Sequence, residues 1–219
     1  MSGAVIGKVD FKTADKAFYT GKPGVWTLVE VPEWSFLAID GEGDPNVAPA
    51  YAHAVRALYA LSYGLKFRAK TGQGRDHAVG PLEGLWWAYD MAAFTRREKG
   101  QWKWRMMIRQ PDWISAVDLE VVRGTVLKKA AKAGDDGPDA GAVNAVRLER
   151  LAEGLSAQAL HVGSYDDEAP LLADLHARYL PDNRLSPSGH HHEVYLGDPR
   201  KTAPEKLKTI LRQPVVRQG

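Results

Sequence analysis

Two periodicities alternate along this chain, and their order most restricts the fold it can adopt. "SFLAIDGEG", at 35–43, reads as a strand running into a glycine turn. Over 50–66 the pattern changes. Ala54, Leu58, Leu61 and Leu65 recur at i, i+4, i+7 and i+11, which is one face of a helix. Strand character returns at 77–89 and 102–109. Ser115, with Asp118 at capping-box distance, opens a second long helix that turns Leu119, Val122 and Val126 inward. "AKAGDDGPDAG" is a loop by composition. Residues 144–163 read as a hairpin turning at Glu153-Gly154, 167–180 as a helix striped by Leu171, Leu175 and Tyr179, and 190–197 as a strand. Pro204 starts a short terminal helix carrying Leu207, Ile210 and Leu211. The polar opening through Pro23 wraps the surface.

Strand, helix, strand, strand is thus followed by a bridging helix, and then by hairpin, helix and strand. The expected fold class is α+β. Tandem pseudo-symmetric strand–helix–strand–strand units form an antiparallel sheet, and the face the helices leave free offers a ligand cleft. A loose likeness between "GEGD…PLEGLWW" and "GSYDDE…HHEVYL" supports a duplication. It puts two halves, about 34–112 and 143–214, inside one domain spanning 1–219. A chain of 219 residues can bury a substantial core.

Composition removes several classes of function. The 29 Lys+Arg against 27 Asp+Glu leave a formal charge of +2, which supplies no strong attraction to nucleic acid or membrane. Cysteine is absent, so there is no disulfide framework, thiolate metal site or cysteine nucleophile, as suits a reducing compartment. Neither a secretory apolar core nor a run of roughly 20 apolar residues occurs, so the expectation is a cytoplasmic protein without a membrane partner. Phosphate loop, nucleophile elbow and dinucleotide fingerprint are all missing; "GEGDPN" lacks the third glycine. The basic tail (Arg200, Lys201, Lys206, Lys208, Arg212, Arg217) reads as a solvated helix face, so direct nucleic-acid binding is not expected.

Three segments can carry chemistry. In "HHHEVYL", strand alternation places His191, Glu193 and Tyr195 on one face and His190, His192 and Val194 on the other. Only two histidines can then converge, and no partner with ligand spacing appears elsewhere, so neither a metal nor another cofactor is expected. Glu193, mid-strand among apolar residues, is exposed, paired, or in a cleft that tunes its pKa. In "GPLEGLWWAYD", Glu83, Leu85 and Trp87 share one face, and Gly84 marks a bend or a close approach. In "WKWRMMIRQPDW", Trp102, Trp104, Met106 and Ile108 alternate with Lys103, Arg105, Met107 and Arg109. This is either a strand with one wet face or an aromatic and methionine wall suited to flat ligands.

"PLEGLWW", "WKWRMMIRQP" and "HHEVYLGDPRKTAPEKLKTILRQPV" resemble the stand-alone GyrI-like small-molecule-binding proteins, in order and spacing from about Trp34 onward. The resemblance implies a tandem fold whose cleft binds bulky aromatic or cationic compounds, and in some members hydrolysis of cyclopropane-bearing cytotoxic compounds. It implies Glu193 as the cleft carboxylate and general base. Tyr165 or Tyr195 would donate to the carbonyl that gains charge, and Glu83, Trp87, Trp104, Met106 and His191 would line the ligand. The partner is then a small aromatic molecule. The alternatives are a non-catalytic multidrug-binding or sequestering protein and a module that modulates an enzyme such as DNA gyrase.

Overall fold

The computed structural model describes residues 7–90, 93 and 96–219, with Asp135 described by its backbone alone, and among these residues nine strands and five α-helices of at least 4 residues follow one another. The strands are β1 (Thr27–Val31), β2 (Trp34–Glu42), β3 (Leu82–Trp87), β4 (Lys103–Gln110), β5 (Arg147–Leu151), β6 (Gly154–Val162), β7 (Leu185–Pro187), β8 (His191–Tyr195) and β9 (Lys208–Arg217). The helices are α1 (Phe11–Ala14), α2 (Pro49–Gln73), α3 (Ala116–Ala133), α4 (Ala140–Ala145) and α5 (Ala169–Asp174). The strands pair antiparallel with their neighbours, so the α+β class expected from the sequence holds. No helix among the described residues is long and apolar enough to cross a membrane.

The chain divides into two units, and the first takes Trp34–Gly80 and Trp87–Leu151 together with the N-terminal residues through Ala14. Its sheet has β2 in the middle, paired with β4 on one side and β5 on the other. Pro49 opens α2, and Gly74, at φ 66°, closes it in the left-handed conformation that glycine tolerates. The anticipated face is the buried one: Ala54, Leu58, Leu61 and Leu65 are all at most 1% exposed. The capping box of α3 forms as read, with the Ser115 side chain accepting from the Asp118 amide and the Asp118 carboxylate reaching back. Arg68 of α2 adds an ion pair to Asp118 at 2.8 Å. A Cβ on Gly41 would collide with the Trp104 indole, which also takes the edge of Tyr51 at 5.3 Å. Trp104 and Met106 are therefore core residues of this unit, 1% and 0% exposed.

The second unit takes Asp15–Glu33, Pro81–Trp86 and Ala152–Gly219. Its strand order is β1-β6-β9-β8-β3, and β7 pairs with the far end of β9. Two expectations are corrected here. The terminal helix is a strand: only Pro204–Lys206 makes a helical turn, and Lys208–Arg217 is β9. Leu207, Ile210 and Leu211 fit a helical stripe, but "TILRQPVV" is β-branched-rich and buried on both faces from Thr209 to Val215, where extended backbone is favoured. The hairpin at Glu153-Gly154 also does not form. β5 pairs with β2, whereas β6 pairs with β1 and β9, so the arms diverge at the turn. β1, in "TLVEV", is a strand additional to those the sequence pattern predicts.

Trp26, Ala157, Ala159, Leu175, Leu180 and Leu211 form the core of this unit, with Leu171 and Tyr179 packed against it. The expected stripe of the 167–180 helix is thus used, although the helix widens into a π-turn over Leu175–Tyr179. Ala159 pairs with Leu211 and Leu211 with Glu193, so these side chains share one sheet face, the face that the helical segment covers.

Candidate functional site

The register of the second unit's sheet decides which side chains meet. Opposite partners in antiparallel strands project to the same side. Glu193 stands opposite Gly84 on one neighbour and Leu211 on the other; His191 stands opposite Trp86, and Tyr195 opposite Leu82 and Thr209. Gly84 puts no side chain into this row. The row His191, Glu193, Tyr195 therefore shares a face with Trp86 and Thr209. The expectation that Glu193 lies on the face away from the helices is corrected within this unit, because the same face carries the 169–182 segment.

Three aromatic side chains meet on that row. The Tyr195 ring meets Tyr165 edge to face, with centroids 5.5 Å apart and planes at 75°. Its hydroxyl accepts a hydrogen bond from Trp86 Nε1 at 2.9 Å, fixing both side chains. Tyr165 comes from the helical turn Tyr165–Glu168 after β6, which also supplies Glu168.

The carboxyl groups here differ in surroundings. The Glu193 side chain is 15% exposed, and Oε1 lies 3.5 Å from His191 Nε2. Glu168 is 4% exposed. Burial, then the nearby charge of Glu193, raises its pKa far above the ordinary carboxylate range, with Thr209 opposing the shift. Burial, and then His191, lowers the pKa of His176. This face thus carries the part-exposed Glu193 carboxylate together with the buried Glu168, whose charged form burial and the Glu193 charge disfavour. No group of three metal-ligating side chains occurs among the described residues.

The opposite face holds a different cluster. His192 is fully buried, with Nδ1 2.9 Å from Glu153 Oε1 and Nε2 3.1 Å from Glu83 Oε2. Arg212, also fully buried, meets Glu153 Oε2 at 2.8 Å and donates to Gln158 Oε1 and to the Phe18 carbonyl. Burial opposes charge on His192, but Glu153 and Glu83 outweigh it and raise the imidazole to about 9. Burial likewise opposes the charge of Glu153, which His192 and Arg212 hold down at about 2. Two acids and two bases balance, as buried charges require.

The structure brings together Glu193, Tyr165, Tyr195 and His191 of the residues singled out from sequence. It does not bring Glu83 to them; that glutamate is 0% exposed on the other side of the sheet, facing His192. Trp87 is half-buried and belongs to the first unit, as do the core residues Trp104 and Met106, and Trp86 is the indole on the Glu193 face. Glu168 and Thr209 escape a sequence reading, since "DDEAP" looks like an acidic helix start and Thr209 falls within the supposed terminal helix. Arg212 is no solvated residue; its place inside an apolar run, "TILRQPVV", was the available signal.

Comparison with known proteins gives the family and the fold. The family model described as "GyrI-like small molecule binding domain" covers residues 26–216. The crystal structure of an uncharacterized conserved protein from Listeria innocua has 36% identity, covers 95% of this chain and 100% of its own, and superposes with a TM-score of 0.84. That of a hydrolase from Listeria innocua gives 36% identity, the same coverages and a TM-score of 0.80. The EcmrR C-terminal domain, at 10% identity, 89% and 98% coverage and a TM-score of 0.52, shares the fold alone. No curated protein matches the sequence.

Proposed function

The chain belongs to the GyrI-like small-molecule-binding family, and from that premise we propose that it binds bulky aromatic compounds, cations among them, at Glu193 and hydrolyses those bearing a strained cyclopropane. The observation that carries the reading is one partly open carboxylate in a row with Tyr195, braced by Trp86 and Tyr165. Ring faces attract a flat ligand, and a carboxylate beside them selects positive charge. A hydrolase 36% identical over nearly the whole chain supports turnover over simple sequestration.

The chemistry asks little of the protein. A cyclopropane conjugated to a dienone is already electrophilic, so water need only be held in line and deprotonated. Glu193 takes the proton as the new C–O bond forms and the strained C–C bond breaks. That electron pair moves onto the dienone oxygen, which becomes a phenolate. Hydrogen bonds from Tyr165 or Tyr195 stabilise the growing charge, and the phenolate then takes up a proton, so the product is the substrate plus one water. We place this activity in the cytoplasm, in keeping with the cysteine-free composition. The test is mass spectrometry of a cyclopropane-bearing alkylator incubated with the protein. Catalytic growth of a product one water heavier, abolished by Glu193→Gln, is expected. Stoichiometric binding without that product would leave a sequestering protein.

A further inference from the structure

This inference rests on the reading of Glu193 as the ligand's carboxylate. Glu168 sits in the turn whose first residue, Tyr165, packs on Tyr195, and its Oε1 is buried without a hydrogen-bond partner among the described residues. The charged or titratable groups of its own turn and of the neighbouring elements are these. Its own turn supplies Asp166, and Asp167, which accepts from the Ser164 hydroxyl at 2.6 Å. β8 supplies Glu193, backed by His191, and His176 lies beyond that. β6 supplies His161, 2.9 Å from the Ser164 carbonyl, and β9 supplies the uncharged Thr209. The charges that act most strongly on Glu168, those of Glu193 and Asp166, are both negative. A buried carboxyl with an unpartnered oxygen, in a turn packed on the same strand row as a second carboxylate, ionises only at a cost.

We propose that Glu168 and Glu193 form a carboxyl pair that holds one proton when the site is empty and releases it to solvent when an aromatic cation binds. The arriving charge replaces the proton's: one positive charge enters, the pair passes from one negative charge to two, and the buffer takes the proton. Neutral aromatic ligands leave the proton in place. Binding that expels one proton strengthens about tenfold per pH unit. Affinity for cations, but not for neutral compounds, therefore follows pH.

The probes are 10-methylacridinium and, as its neutral counterpart, acridine, with the full chain between about pH 7 and pH 9, above the ordinary histidine range. Calorimetry in buffers of differing ionisation enthalpy should show close to one proton released per methylacridinium and none per acridine. Cation affinity should rise about tenfold per pH unit over that range. Glu168→Gln should still bind the cation but lose both the proton release and the slope. In the unsubstituted protein, the infrared carbonyl band of a carboxylic acid should vanish when the cation binds; its persistence overturns the pair even where Glu168→Gln does not fold. Saturable cation binding that Glu193→Gln weakens, with no proton released, overturns this proposal alone. Absence of saturable binding by either probe overturns it together with the reading it rests on.

Discussion

His192 and Glu193 are consecutive residues of β8 that serve opposite faces of one sheet: His192 is sealed between Glu83 and Glu153, while Glu193 stands beside His191 on the half-open side. A strand that slipped by one residue would exchange them, placing a carboxylate among buried ion pairs and the imidazole at the ligand face. The ion-pair cluster therefore does more than fill the interior. It fixes the register that presents Glu193.

Removing one member of that cluster should be costly. Glu153→Gln leaves two buried cations facing only Glu83, and a loss of about 3–5 kcal/mol is expected in urea unfolding. Arg212→Met should cost a comparable amount. The double replacement Glu153→Met with Arg212→Met should cost clearly less than the two added together, since no charge of the pair is stranded. Simple additivity would mean that the two residues act independently.

The same cluster sets a pH window. Glu153, lowered to about 2, contributes stability that is present above its unfolded value near 4.5 and lost as pH falls toward 2. His192, raised to about 9, contributes stability that is complete below 6.5 and lost as pH rises through 9. Melting temperature should therefore peak between about pH 4.5 and 6.5. The alkaline decline should be shallower in His192→Asn, measured from its own lower maximum.

Glu168 adds to that decline. Its raised pKa favours the folded state fully below about 4.5, and that advantage drains away as the unfolded carboxyl ionises at higher pH. Glu168→Gln cannot ionise in either state. Near pH 8 it should melt a few degrees above the parent protein, a gain of about 1–2 kcal/mol. Equal melting temperatures across the alkaline range would show that Glu168 is ionised in the native protein.

Glu193→Gln preserves shape and removes charge. A pair of charges about 4 Å apart at an effective dielectric near 20 interacts by roughly 4 kcal/mol, and desolvation offsets much of that. An aromatic cation should bind about tenfold more weakly, as read by tryptophan quenching, with a neutral analogue little changed. Turnover of a cyclopropane substrate should fall further, by roughly 10²-fold or more, because the base is gone. Equal weakening of both ligands would point to a disturbed fold.

Away from the site, Gly41→Ala should destabilise the first unit by about 1–3 kcal/mol, because its methyl group would enter the Trp104 ring. Trp104→Leu in the same chain should recover part of the loss. A neutral Gly41→Ala would mean that the indole has space to move.

The two long helices and the class of fold are legible in the sequence because their signals are local. Ala54, Leu58, Leu61 and Leu65 repeat at helical spacing, and Ser115 with Asp118 spells its own cap. Alternation alone also puts His191, Glu193 and Tyr195 on one face. What stays hidden depends on pairing between distant segments. Nothing near "LAEG" reveals that Glu153 turns inward to Arg212, 59 residues away, and a stretch holding Leu207, Ile210 and Leu211 suits helix or strand until its neighbours are known. The choice of Trp86 over Trp87 follows from the register against His191, which is a property of two strands and not of either one.

The second unit is assembled from three separate stretches of chain, and β9 runs through it, pairing with β6, β7 and β8. During synthesis, Glu193 therefore leaves the ribosome before the strand that flanks it, and its neighbours Thr209 and Leu211 emerge only afterwards. A premature stop at Lys208 would spare every residue of the ligand row on β8 and still delete an inner strand of the sheet. Such a product would expose the edges of β6 and β8 together and should be cleared by quality control as an aggregation-prone chain, with no partial activity to preserve.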